Sequence, residues 1–231
     1  MSLSFKDLQL ADVPKSSWIL IIAGLLTLFT TAFLFLEMGE EVLEQETFRI
    51  DQTAQNIVSA LNTDILQFIM GLITEGGSVT WLTAGAAITT IYLLFFSSFS
   101  RWTAVYFAVN MIGISIITTV LKNFFSRQRP EVLAAYDGTG YSFPSGHSTG
   151  AVTFYGFLAY LVIRSTMATV WKWVFGVLLS LAALLVAVSR MFLDVHYFTD
   201  VLAGISAGLF WLLICIIALE LTLWNKHRRQ T

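Results

Sequence analysis

His147 and His196 are the two histidines that lie away from the chain terminus, and each stands beside groups suited to handling an oxyanion. Pro144-Ser145-Gly146-His147 leads straight into an apolar run. Its backbone N–H groups therefore fall at a helix N-terminus, where the dipole and the unsatisfied donors favour an anion. Gly146 lets the backbone approach a ligand without a Cβ in the way. An ordinary helix start, capped by Ser145 and punctuated by Pro144, accounts for the proline and the serine but not for the histidine. His196 precedes Asp200 by four residues. That spacing shares one face of a helix, so the carboxylate can accept from the imidazole N–H and fix its tautomer and orientation. Lys122 and Arg129, in KNFFSRQRP, are nearly two helical turns apart, so their long side chains can converge; Pro130 then biases Arg129 away from helix and places the helix end there. Arg190 opens the segment RMFLDVHYFTD. Three cations and two histidines suggest a phosphate held while one imidazole attacks and the other donates a proton. A metal triad of His147, His196 and Asp200 is the alternative, and the cations beside it would repel a metal ion and favour an oxyanion.

The elements that must carry these groups are membrane spans. The chain has 231 residues, 56% hydrophobic and 12% charged, about half the charged share of an ordinary soluble domain. Stretches free of Asp, Glu, Lys and Arg run over Ser16–Leu36, Gly76–Ser100, Trp102–Leu121, His147–Ile163, Trp173–Ser189 and Val201–Leu219. A hydrocarbon core takes roughly 20 apolar residues in helix, so these predict six transmembrane helices in an all-α integral membrane bundle. A soluble bundle with a large core is the alternative, and six long charge-free runs speak against it. The first run reads as an uncleaved span rather than a signal peptide, because acidic residues follow it in place of a small-residue cleavage site. Cys215 is the lone cysteine, so no disulfide framework exists within the chain. Nothing suggests a nucleic-acid stripe, a repeat or a low-complexity tract, and residues 1–231 read as one membrane domain with short loops.

With the N-terminus placed in the cytoplasm, the inner segments hold Lys6, Lys15, Arg101, Arg164, Lys172, Lys226, Arg228 and Arg229, and the outer ones Arg49, Lys122, Arg127, Arg129 and Arg190. The excess of basic residues inside puts both termini in the cytoplasm and the candidate site on the other face. Trp18, Trp102, Trp171, Trp173 and Trp224 then mark inner helix ends. An isolated outer arginine could snorkel to headgroups, but three motif cations beside two histidines ask for a ligand. Between spans one and two, Ile57, Val58, Leu61, Ile65, Phe68, Ile69 and Leu72 recur at helical spacing. They predict one amphipathic helix, lying on the outer surface or capping the bundle, or else turned to the core with no part in chemistry.

K-x6-R-P at Lys122–Pro130, P-S-G-H at Pro144–His147 and S-R-x5-H-x3-D at Ser189–Asp200 resemble the three motifs of the type 2 phosphatidic acid phosphatase (PAP2) superfamily, with eleven positions agreeing at fixed spacing. In size the chain is similar to the small bacterial phosphatidylglycerophosphatase and undecaprenyl-pyrophosphatase members. The resemblance implies His196 as the nucleophile forming a phosphohistidine, Asp200 as its orienting carboxylate, and His147 as the acid and then the base. It implies Lys122, Arg129, Ser145, Gly146 and Arg190 as the phosphate-binding groups, and neither a metal nor another cofactor. Two departures are mild: no proline follows His196-Tyr197, and Asp194 stands where a glycine is common, an extra carboxylate near the phosphate. The expectation is a plasma-membrane lipid-phosphate phosphatase with no obligate protein partner, acting on phosphatidylglycerol phosphate first and undecaprenyl pyrophosphate next. A channel or transporter for phosphate-bearing solutes would spread ionisable groups along the bundle axis, and a haloperoxidase would have no use for six spans.

Overall fold

The structure is a computed structural model that describes residues 15–44, 49–130, 136 and 139–228, with side chains from residue 22 onward. Lys6 and Arg229 lie outside the described residues, as do the side chains of Lys15 and Trp18. Among the described residues the chain forms α1 (Lys15–Leu43), α2 (Arg49–Leu61), α3 (Asp64–Glu75), α4 (Val79–Phe95), α5 (Arg101–Phe125), α6 (Gly146–Arg164), α7 (Thr169–Phe192) and α8 (Phe198–Arg228).

Among the described residues five segments are long and apolar enough to cross a membrane: Ile22–Leu43, Asp64–Phe95 (α3 with α4), Arg101–Phe125, Thr169–Phe192 and Phe198–Arg228. The expected fourth span, α6, has 19 residues and sits in the middle of the bundle against α7, α8 and α5. Its first turns bury Ser148, Thr149 and Thr153, which dilutes its apolar character. Burial on all sides, rather than a uniformly apolar surface, makes it the central helix.

Caps explain where the helices begin. Ser78 accepts from Trp81 N–H at 3.2 Å to open α4, and Ser100 accepts from Trp102 N–H at 3.4 Å to open α5. Helix α5 ends at Phe125, four residues short of the expected stop, because Ser126 takes the left-handed conformation with φ 50°. Lys122 and Arg129 therefore do not share a helix. The apolar run expected as one amphipathic helix is two: the chain breaks at Asn62, and Thr63 accepts from Leu66 N–H at 3.2 Å to start α3. Its apolar face, with Ile57, Leu61, Ile65, Phe68 and Leu72, is exposed. The core-facing alternative is thus overturned, since Val58 alone of that apolar series is buried.

Two glycines set the closest helix contact. A Cβ at Gly204 would lie 2.7 Å from Ser145 O, and one at Gly208 would lie 3.0 Å from Thr149 O. Small residues four apart let α8 press its backbone against the first turns of α6, as in helix pairs packed in lipid. Below this contact an apolar core joins α4, α5, α6 and α8 through Leu93, Phe107, Phe157 and Leu219, with the Phe107 and Phe157 rings edge to face at 5.1 Å. Helices α5 and α7 end, and α6 and α8 begin, at one end of the bundle. All the candidate residues gather there.

Candidate active site

His196 occupies the short link between α7 and α8, two residues before α8 starts, and is 4% exposed. Its Nδ1 faces Asp200 Oδ2 at 3.3 Å, and its Nε2 lies 2.9 Å from Arg129 Nη1. An acceptor on one side and an obligate donor on the other assign the proton to Nδ1 and leave a lone pair on Nε2. Burial, and after it the charges of Arg129, Lys122 and Arg190, hold this imidazole well below the usual histidine range. The ring is therefore neutral and nucleophilic at ordinary pH.

Asp200 is fully buried at the first turn of α8. Its Oδ2 also accepts from Tyr197 N–H at 3.0 Å, and its carbonyl accepts from Ser145 N–H at 3.0 Å, tying the start of α8 to the cap of α6. Ser145 caps α6 by accepting from Ser148 N–H at 3.4 Å and from its hydroxyl at 2.9 Å. His147, in the first turn of α6, is buried with its ring beside Gly77.

Lys122 and Arg129 do converge, through loop carbonyls rather than a helix face. Lys122 Nζ donates to Tyr141 O at 2.5 Å, and Arg129 Nη2 donates to the same oxygen at 3.3 Å. Arg129 further donates to Gly140 O at 3.0 Å, Thr139 O at 3.0 Å and Val195 O at 2.7 Å. Arg190 is fully buried and donates to Thr74 Oγ1 and Tyr136 O, both at 2.7 Å, so α3 helps to hold it.

A cavity of about 500 Å³ joins these parts. Lys122, Arg129, Gly146, His147 and His196 line its polar end, and Val79, Leu82, Ala86, Met111, Ile112 and Ile114 of α4 and α5 line its apolar length. Asp200 does not line it, and neither do Ser145 and Arg190, which were expected to bind the phosphate; all three are fully buried. Among the described residues, no group of three His, Cys, Asp or Glu side chains is arranged to hold a metal ion.

The PAP2 superfamily model matches residues 103–223, which take in Lys122, Arg129, Ser145, Gly146, His147, Arg190, His196 and Asp200. The chain belongs to the PAP2 superfamily. Phosphatidylglycerophosphatase B of Bacillus subtilis (strain 168) is 36% identical over 95 residues, 41% of this chain and 47% of that protein. Lipid A 4'-phosphatase of Porphyromonas gingivalis is 29% identical over 147 residues, 56% of this chain and 57% of that protein. The chain thus spans about half the length of the curated relatives it matches. A crystal structure of a transmembrane PAP2 type phosphatidylglycerolphosphate phosphatase from Bacillus subtilis superposes with a TM-score of 0.73 at 24% identity, covering 83% of this chain and 95% of that one. It shares the fold.

Two PAP2-site neighbours were not legible as such in the sequence. Arg127, counted there only among outer basic residues, donates to Asp200 Oδ1 at 2.6 Å, and Asp51 of α2 accepts from Arg127 Nη2 at 2.8 Å. Their one signal was position: Arg127 lies inside the K-x6-R-P motif, and Asp51 is an acidic residue in the first turn of an amphipathic helix. Asp194 has φ 55°, a left-handed position that explains why glycine is common there. Its carboxylate accepts from Gln55 Nε2 at 3.3 Å and lines a small pocket beside His196 rather than the large cavity.

Proposed function

We propose that the chain is a metal-independent membrane lipid-phosphate phosphatase working through a phosphohistidine. One observation carries the reading: a single cavity runs from apolar walls of α4 and α5 into a cluster of Lys122, Arg129, His147 and His196. A lipid can lay its chains along the first part and place its phosphate in the second. His196 Nε2 attacks phosphorus while the ester P–O bond breaks. His147 gives its proton to the departing alkoxide. Water then attacks phosphorus as the P–N bond breaks, His147 takes the water's proton, and phosphate leaves with His196 restored. Lys122, Arg129 and the Gly146 amide hold the phosphoryl oxygens, with Ser145 supporting the helix start. The buried Arg190 adds a positive charge that acts on both histidines, in a water-excluded setting where developing negative charge is stabilised strongly.

Phosphatidylglycerol phosphate is the first substrate in this reading and undecaprenyl pyrophosphate the next; the B. subtilis relative's name supports the order. In this reading residues 1–231 form one domain with six spans, α6 being the fourth, both termini in the cytoplasm and the site on the extracytoplasmic face of the cell membrane. The tryptophans of the opposite end (Trp102, Trp171, Trp173 and Trp224) are all partly exposed, as an aromatic belt requires. The test is phosphate release from a panel of purified lipid phosphates and pyrophosphates with EDTA present. Activity that vanishes with EDTA and returns with Mg²⁺ would overturn the metal-free mechanism. Single cysteines near Asp137 and near Trp171, in a Cys215→Ala background, test sidedness: an impermeant thiol reagent on intact cells labels the first only.

A further inference from the structure

Asp200 offers one oxygen to His196 and the other to Arg127, which occupies an unspecified position within the K-x6-R-P motif. Arg127 Nη1 donates to Asp200 Oδ1 at 2.6 Å and to Thr199 Oγ1 at 2.8 Å, while its Nη2 donates to Asp51 Oδ2 at 2.8 Å. The guanidinium lies over the Tyr197 ring, 4.1 Å from its centroid. Asp51 does more than pair with it. Asp51 accepts from Thr199 N–H at 2.9 Å and from Thr199 Oγ1 at 2.8 Å, so a residue of α2 satisfies a donor at the open start of α8. Asp51 is 5% exposed and the Arg127 side chain 15%, so water screens neither contact strongly.

We propose that Arg127, clamped by Asp51 of α2, is a positioning residue for the nucleophile: it fixes the Asp200 carboxylate against His196 and draws off part of the negative charge that would hold a proton on that imidazole. The inference rests on the reading in which His196 attacks phosphorus. An arginine that bridges two carboxylates, one from each arm of its rigid fork, supplies such a clamp. Among the described residues, His196 is faced by Asp200 from α8, Lys122 from α5, Arg129 from the segment after α5, Arg190 from α7 and His147 from α6. Asp51 and Asp194 line a small pocket with His196 but bond to Arg127 and Gln55, so the carboxylate bonded to the ring is that of Asp200. A residue that governs its charge therefore governs the nucleophile's proton affinity.

The experiment compares Arg127→Met, Arg127→Lys and Asp51→Asn with wild type for kcat, KM and the pH dependence of kcat/KM on one lipid phosphate. Arg127→Met should lose about 10- to 100-fold in kcat, the range for partners that orient a functional histidine, with KM nearly unchanged. Its acid limb should move to higher pH by about 0.5–1 unit, because Asp200 now holds the His196 proton more firmly. Arg127→Lys keeps the charge and should return the limb to its wild-type place with part of the rate. Asp51→Asn should lower kcat without moving the limb upward. An Arg127→Met limb that stays in place, or an Arg127→Lys indistinguishable from Arg127→Met, would make Arg127 a structural strut and overturn the proposal. Should Arg127→Met not accumulate, the other two decide: kcat lost at constant folded fraction supports it, and kcat lost only in step with folded protein overturns it. An alkali-stable phosphoenzyme, present in wild type and absent from His196→Ala, is measured in the same preparations. Its absence from wild type removes the phosphohistidine reading and the inference with it, whereas its presence beside an unmoved limb removes the inference alone.

Discussion

Both ends of this bundle hold a carboxylate on α8 paired with an arginine, and the two pairs have little else in common. At the site end Asp200 is fully buried and Arg127 meets it at 2.6 Å, with a histidine, a backbone amide and α2 gathered round. At the opposite end Glu220 meets Arg164 at 3.2 Å, with side chains 40% and 53% exposed and Tyr160 as a further partner. A charge pair matters in proportion to what it is withdrawn from water with. The first pair is embedded in a network whose members each hold a neighbour in place; the second stands among long side chains at a helix end.

The largest effects should come from breaking the site end at its two histidines, and they should differ in kind. In the proposed mechanism His196 carries the attacking atom and His147 is the proton donor, so no leaving group should restore phosphoryl transfer to His196→Ala. His147→Ala removes the proton donor for the departing alkoxide, a contribution typically worth 10²–10⁴-fold, or about 3–5 kcal/mol of barrier. A nitrophenolate leaves without that proton. The first-turnover burst of nitrophenolate should therefore persist in His147→Ala, although the variant cannot complete steady turnover. A burst kept by His196→Ala and lost by His147→Ala would reverse the roles.

Backbone contact between α6 and α8 comes next. A Cβ at Gly204 would meet Ser145 O at 2.7 Å and Ser148 Cβ at 2.9 Å. A backbone oxygen cannot swing aside, so α8 must retreat from α6 and carry Asp200 and His196 away from His147. Gly204→Ala should lose about 1–3 kcal/mol of stability by overpacking and about 10²-fold in turnover from a displacement near 1 Å. Gly176→Ala on α7, with no atom within 4 Å of the added Cβ, is the matched control and should melt no lower than wild type. Equal melting and equal rates for both would show that the helix contact is looser than its geometry.

How much of this was legible in the sequence depends on how far apart the partners lie. Motif spacing marked His147, His196, Asp200, Lys122 and Arg129, and the structure brings them to one end. The stated cause of the Lys122–Arg129 convergence was incorrect: Ser126 ends the helix early, and the carbonyls of residues 139–141 gather the two cations. Arg127 and Asp51 stayed hidden because their meeting is tertiary, across 76 positions, with no periodicity to announce it. The break at Asn62 and Thr63 was hidden for the opposite reason: apolar spacing continues through it, and only the cap tells two helices from one.

A smaller effect is the pH dependence of stability. His196 is held well below the usual histidine range in the folded chain, mainly by burial, and regains an ordinary value of about 6.5 on unfolding. Below that value the unfolded state binds a proton that the folded state refuses. The sign follows: this contribution is complete above about pH 6.5 and is lost as pH falls towards the folded value. Denaturation midpoints in detergent should therefore drop between about pH 6.5 and pH 5 in wild type, and drop less in His196→Ala. Identical slopes would mean that the imidazole accepts its proton freely in the folded chain.

Least of all should follow from the opposite end. Glu220→Gln removes the charge that Arg164 meets, yet both side chains are more than a third exposed, where pairs contribute about 0–1 kcal/mol. Tyr160 donates to Glu220 Oε1 at 2.7 Å, and an amide oxygen in the same place can still accept that bond. No described side chain of this cluster lines the cavity, so the substitution leaves that lining intact. Turnover of Glu220→Gln should stay within about twofold of wild type, and its stability within about 1 kcal/mol. The comparison sharpens when the same substitution is made at the other carboxylate: Asp200→Asn also replaces one oxygen by an amide, but there the lost charge faces His196 and Arg127 in a dry site. Loss of activity in Glu220→Gln comparable to that in Asp200→Asn would mean that the two ends are coupled along α8, and that burial does not rank them.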